Sequence, residues 1–117
     1  MALATFTVGG QRRAYQPTIV DENGNPINLT GGYGRLQGRS RDLPSITIDF
    51  LGTLVDAAGG VVKFASMGGL VTQANLTAAA VDRATFRCKV KYQDNTGLVD
   101  FTDEFEFIWS EDPLQPA

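Results

Sequence analysis

The sequence predicts an all-β fold, a β-sandwich of about six to eight short strands. Three observations carry that expectation. Thirteen glycines and five prolines are scattered through 117 residues, which fits many short strands joined by tight turns better than a few long helices. Strict apolar alternation runs through RATFRCKVKYQ and again through LVDFTDEFEFIW, and a period of two marks a half-buried strand. Helical propensity is confined to Leu70–Ala84, around NLTAAAVDRA, where the apolar spacing is poor.

Taken in order, Thr5–Val8 and Ala14–Val20 make the N-terminal strand or strands, and Pro17, lacking an N–H, confines the second to an edge or a bulge. DENGNPINLTGG (residues 21–32) reads as a corner: Asn23-Gly24 supplies positive φ, Pro26 fixes the exit and Leu29 pins the turn to the core. Tyr33–Gln37 is a strand with Leu36 facing opposite to Tyr33, Arg35 and Gln37. SITIDF places Ile46, Ile48 and Phe50 on one side, VVKFASM places Val62, Phe64 and Ser66 on one side of another strand, and DAAGG joins the two as a hairpin. One or two helical turns, or a loop, follow over Leu70–Ala84.

In the final hairpin, Ala84, Phe86, Cys88, Val90 and Tyr92 share a face, as do Val99, Phe101, Phe105, Phe107 and Trp109. A two- or four-residue loop inside Asp94–Gly97 sets Lys91 opposite Asp100, Arg87 opposite Glu104, Tyr92 opposite Val99, Val90 opposite Phe101 and Phe86 opposite Phe105. Asp103 falls on the apolar parity and reads as a bulge or a strand leaving the core. The tail SEDPLQPA is expected to be exposed. The whole is one domain, 1–117, with its core over roughly 4–110 and its tail over 111–117.

Composition narrows function. The absence of histidine removes the commonest component of Ser-His and Cys-His catalysis and of most zinc sites. The single Cys88 excludes an internal disulfide and reads as a buried, inert thiol. Residues 1–58 hold five Lys/Arg against five Asp/Glu and residues 59–117 hold five against eight, giving the net −3 and disfavouring nucleic acid as a partner. No window approaches a spanning helix and the start MALATFTVGGQRR reverses the order of a secretory signal, so no membrane is expected and folding in a reducing cytoplasm is.

The candidate sites are few. Asp21-x-Asn23-x-Asn25 copies the first ligands of a calcium loop, but Pro26 stands where its glycine is needed and Gly32 where its glutamate is needed, so no metal is assigned. GGYGRLQG lacks both the spacing and the lysine of a phosphate loop, and no cofactor is expected. Arg35, Arg39 and Arg41 share a parity and form a candidate interface stripe. Tyr15 and Tyr33 are candidates for an exposed aromatic contact, whereas Trp109 and Tyr92 have core parity. Asp100, Glu104 and Glu106 form an acidic counterpart on the last strand.

The run D-x-N-G-x-P-I-N-L-T-G-G, then GRLQGRSRD, DAAGGVVKF and a basic strand, turn and acidic-aromatic strand resembles the small immunoglobulin-like domains of tailed bacteriophages, nearest the N-terminal domain of baseplate upper proteins. Asp21, Gly24, Pro26, Leu29, Thr30, Gly31, Leu36, Gly60, Val61 and Phe64 carry the likeness, with the Asp94–Gly97 turn, over roughly residues 12–110. It implies an immunoglobulin-like antiparallel sandwich and a non-enzymatic structural role in a virion or prophage particle: tail, baseplate, fibre or capsid decoration. The implied partners are the chain itself, as a homo-oligomer or docked subunit, and other phage structural proteins; the implied place is the virion, after assembly in the bacterial cytoplasm. It transfers no catalytic residue. The alternative from a different class is a carbohydrate-binding module, which requires an exposed aromatic platform or a calcium site.

Overall fold

The structure, a computed structural model, describes residues 3–10 and 12–111. Its strands are β1 (Ala4–Thr7), β2 (Tyr33–Ser40), β3 (Thr47–Leu51), β4 (Thr53–Asp56), β5 (Val61–Lys63), β6 (Arg83–Gln93), β7 (Val99–Phe101) and β8 (Phe105–Ser110), with a 3-10 turn at Met67–Leu70 and one short helix, α1 (Gln73–Ala78), between β5 and β6. One broad layer has the order β1-β8-β6-β2-β3, with β7 continuing along β6, and the second layer holds β4 and β5. The segment from Tyr15 to Val20 lies along β5 through the bridges Tyr15↔Phe64 and Thr18↔Val61. The orders β8-β6-β2-β3 and 15–20, β5, β4 match the two layers of an immunoglobulin-like sandwich, so the expected all-β sandwich is the fold.

Three expectations change. The broad sheet is mixed rather than antiparallel, because β1 runs parallel to β8; with almost the whole chain between them, no hairpin dictates their direction. SITIDF does not pair with VVKFASM. The run bends at Gly52, so that β3 pairs with β2 in one layer while β4 pairs with β5 in the other. A Cβ at Gly52 would lie 2.5 Å from Val62 Cγ1 and 2.7 Å from Phe64 Cε1, so only glycine lets the strand cross so close to the facing layer.

The third change is the register of the last hairpin. Asp94 N–H donates to the Leu98 carbonyl and Gly97 N–H to the Asp94 carbonyl, with Gly97 at φ +88°. The loop therefore has three residues ending in a left-handed glycine, and it sets Tyr92 opposite Asp100 and Lys91 opposite Phe101. Val99 and Phe101 consequently turn outward. Between Lys91↔Phe101 and Cys88↔Phe105, Thr102–Glu104 puts three residues against Lys89 and Val90, which is the bulge anticipated at Asp103. Thr102 N–H donates to the Val90 carbonyl while Val90 N–H donates to Thr102 Oγ1. The extra residue returns Phe105, Phe107 and Trp109 to the core side, with Phe86 opposite Phe107 and Arg87 opposite Glu106.

DENGN is built as DNTGL is. Asp21 N–H bonds the Asn25 carbonyl, Gly24 N–H bonds the Asp21 carbonyl, and Asp21 Oδ1 accepts from Asn23 and Asn25 N–H. Asp94 Oδ1 likewise accepts from Thr96 and Leu98 N–H. Pro17 occupies a ladder position where Val62 N–H reaches its carbonyl but it has no N–H to return, so this stretch joins β5 by single bridges.

The core lies between the layers. Trp109 is fully buried, donates Nε1–H to the Met67 carbonyl at 2.8 Å, and packs against Phe6 and Phe86 at ring separations of 5.2 and 5.1 Å; each such aromatic pair adds about 0.5–1.5 kcal/mol beyond its buried area. α1 is capped by Thr72, whose side chain accepts from Asn75 N–H while Asn75 Oδ1 accepts from Thr72 N–H, and it buries Leu76. Glu111 N–H bonds the Asp82 carbonyl; the rest of the tail expected over 111–117 lies outside the described residues.

Candidate functional site

The outer face of the broad sheet is a basic surface. Alternation in β2 buries Gly34, Leu36, Gly38 and Ser40 and turns Tyr33, Arg35, Gln37 and Arg39 outward, as the parity of Leu36 predicts. β6 does the same with Arg87, Lys89 and Lys91. The register then sets Arg35 beside Lys91, Gln37 beside Lys89 and Arg39 beside Arg87, so cations of two strands form one field. Arg41 follows the end of β2 and lines a shallow trough with Arg39, Arg87, Asp42, Glu104 and Glu106. Two glycines of GGYGRLQG serve packing between the strands: a Cβ at Gly34 would lie 2.8 Å from Val62 Cγ2, and one at Gly38 2.6 Å from Cys88 Sγ.

Within this field the acids are local. Arg35 Nε donates to Asp49 Oδ1, and Arg87 Nε lies 3.8 Å from Glu104 Oε2. Both pairs are substantially exposed, so each adds only about 0–1 kcal/mol. Lys89 Nζ sits 4.3 Å from the Phe101 ring centroid, a cation–π contact that exists because the three-residue loop turned Phe101 outward. Asp42 Oδ2 accepts from Thr85 N–H, tying the Arg41–Asp42 corner to β6.

The acidic counterpart does not form as expected. Glu104 and Glu106 do not make a separate patch, because the bulge and the β6–β8 register bring both beside Arg87. Asp100 parts from them: opposite Tyr92, it lies on the inner side of the sheet. There it lines an open hollow with Asp21, Glu22, Asp94, Asp103 and Tyr92, between the 17–22 segment and β7. The Tyr92 phenol pKa is raised, first by burial and then by the negative charges of Asp100, Asp94 and Asp21. Asp94 is held below the usual carboxylate range, chiefly by its hydrogen bond from the Thr96 side chain. One molecule thus carries a basic face and an acidic hollow on opposite sides of the same sheet.

The two tyrosines diverge. Tyr15 is half-buried among Phe64, Phe105 and Phe107, with ring separations of 6.1, 5.6 and 4.9 Å, and burial raises its pKa; it is a packing residue. Tyr33 remains on the outer face, beside Gln93. Cys88 is buried and its thiol pKa is pushed up to about 12 by that burial. Among the described residues, no group of three or more His, Cys, Asp or Glu is placed to hold a metal ion, and no helix is long and apolar enough to cross a membrane. What sequence reasoning missed is the basic face of β6 as part of the site and the hollow beside Tyr92. The alternation of Arg87, Lys89 and Lys91 signalled the first; the second depends on the loop length and had no local signal. No protein-family model matches the chain, and neither does any curated protein.

Proposed function

We propose that the chain is a non-enzymatic structural protein of a tailed-phage or prophage particle, acting in the tail, baseplate, fibre or capsid surface by assembling with copies of itself and with other particle proteins. The resemblance in its turn and strand motifs is the ground for the particle. The ground for assembly is one observation: Arg39 stands directly across from Arg87 on an exposed sheet face. Like charges opposite one another weaken a strand pair; Glu104 offsets part of the charge of Arg87, but Lys89, Lys91 and Arg41 add to the same field, so the surface gains from an anionic partner. The acidic hollow supplies such a surface on the same molecule, which favours head-to-tail contact between copies.

Static light scattering across a salt series tests this. The expected result is an assembly at low ionic strength that dissociates as salt rises, because exposed charges are screened beyond about 8–10 Å at physiological salt. Reversing charge with Arg39→Glu and Arg87→Glu together should weaken it, and adding Asp100→Lys in the hollow should restore part of the loss. A monomer indifferent to salt at every concentration removes charge-driven self-assembly.

A further inference from the structure

We propose that the outer edge of β3 pairs antiparallel with the same edge of a second copy of this chain, so that the broad sheets of two molecules run on as one. β3 is the terminal strand of that sheet, and among the described residues it pairs with β2 alone. The direction of its backbone groups follows from the pairing. Gly52 N–H donates to the Gly34 carbonyl, and in an antiparallel pair alternate residues turn both N–H and C=O toward the partner. Ile48 and Phe50 therefore face β2, while Thr47, Asp49 and Leu51 turn their N–H and C=O groups outward. The same parity recurs across the sheet, where Val90 bonds Thr102 on the side of β6 away from β2.

This edge lacks the devices that usually blunt one. Thr47–Leu51 holds no lysine and no proline, and its register against β2 is unbroken. Its one charge, Asp49, is engaged by Arg35 of the same molecule. Leu51 is 56% exposed. The opposite edge is different: β1 is four residues long, and β7 is three residues followed by the bulge.

A second copy is the occupant because the edge is complementary to itself. In one antiparallel alignment Asp49 lies across from Leu51 of the second copy, Leu51 lies across from its Asp49, and the two Phe50 residues meet at the two-fold axis. Two outward-facing pairs at two bonds each give about four backbone hydrogen bonds, and Leu51 is laid against a neighbouring strand. The adjacent alignment that sets Asp49 against its own copy is disfavoured by like charge. An interface of this size belongs to the weak, transient class, effective at high protein concentration or when copies are already held side by side. The inference deepens the assembly reading yet differs from its charged surfaces in a measurable way, since backbone hydrogen bonds and an apolar contact persist in salt.

Sedimentation velocity of the full chain in high salt, from micromolar to millimolar protein, is paired with hydrogen–deuterium exchange. A monomer–dimer equilibrium is expected, with the Asp49 and Leu51 amides exchanging more slowly as concentration rises. Leu51→Pro deletes one outward N–H at a position where an edge strand tolerates proline, and Leu51→Lys keeps the N–H but adds an edge charge. Each should move dimerisation to at least about tenfold higher concentration, with the near-ultraviolet signal of Trp109 showing that the fold is kept. A chain that stays monomeric in high salt overturns the proposal, as does a dimer that Leu51→Lys leaves unchanged or that forms without slowing those two amides. Loss of the salt-sensitive association alone refutes the charged surfaces and leaves the edge intact.

Discussion

Gly38→Ala is expected to destabilise the fold by about 1–3 kcal/mol, the range for adding a methyl group to a filled core, and removing the Cys88 sulfur is expected to relieve most of that loss. Gly38 faces Cys88 across β2 and β6, and a Cβ there would stand 2.6 Å from Cys88 Sγ, 3.3 Å from the Arg87 carbonyl oxygen and 3.5 Å from Cys88 Cβ. Only the sulfur distance is prohibitive: non-bonded carbon atoms settle at about 3.5–4.0 Å, so thiol and methyl must separate by about 1 Å in a site where Cys88 is 1% exposed. In the Cys88→Ala background the methyl fills space the sulfur vacated, and the lower entropy of the unfolded chain, about 0.4–1 kcal/mol for Gly→Ala, works in its favour. A double-mutant cycle by urea denaturation should therefore give a coupling of about 1–2 kcal/mol, with Gly38→Ala near neutral once Cys88 is alanine. Additive single effects would refute the argument that the sulfur dictates glycine at position 38.

Trp109→Phe removes the indole donor to the Met67 carbonyl and opens space between Phe6 and Phe86; about 2–4 kcal/mol of stability should be lost, read by far-ultraviolet circular dichroism during urea unfolding. Cys88 holds its proton more tightly folded, with a pKa of about 12 against an ordinary 9.0; the stability this contributes is present below about pH 9 and lost as pH rises toward 12, so Cys88→Ala should flatten the alkaline arm of the stability curve. The native thiol should also resist alkylation at pH 8 and react once the chain is unfolded. Asp94, whose pKa is lowered by its turn hydrogen bonds, stabilises the fold above the ordinary carboxylate pKa and loses that effect as pH falls through its folded value. Asp94→Ala should lower the melting temperature at neutral pH and lessen its dependence on acid, measured by calorimetry between pH 2 and 6.

Strands whose burial is one-sided were legible, because alternation is local: Phe86, Cys88 and Val90 announce β6, and Leu36 between Arg35 and Gln37 announces β2. The hairpin register was not, since D-N-T-G admits loops of two, three or four residues, and only the bond from Asp94 to Leu98 selects three. That single residue reversed Val99 and Phe101, and a bulge at Thr102–Glu104 reversed the strand again, so each half of the strand alternates although the two halves face opposite ways. Gly52 was invisible as a boundary because its reason is the nearness of Val62 and Phe64 in the other layer. The arginine parity in β2 was readable; its merging with β6 and the placing of Glu104 and Glu106 beside Arg87 depend on a strand order that no local pattern contains.

The pairing of β1 with β8 joins strands that lie far apart in the sequence. Phe6 rests against Phe107 and Trp109, so this contact closes a long loop and is among the slower ones to form. Until β1 docks, the outer edge of β8 stays open and the ring of Phe6 stays in water. Any change that loosens β8 would thus uncover Phe6 as well, so these two distant strands open together.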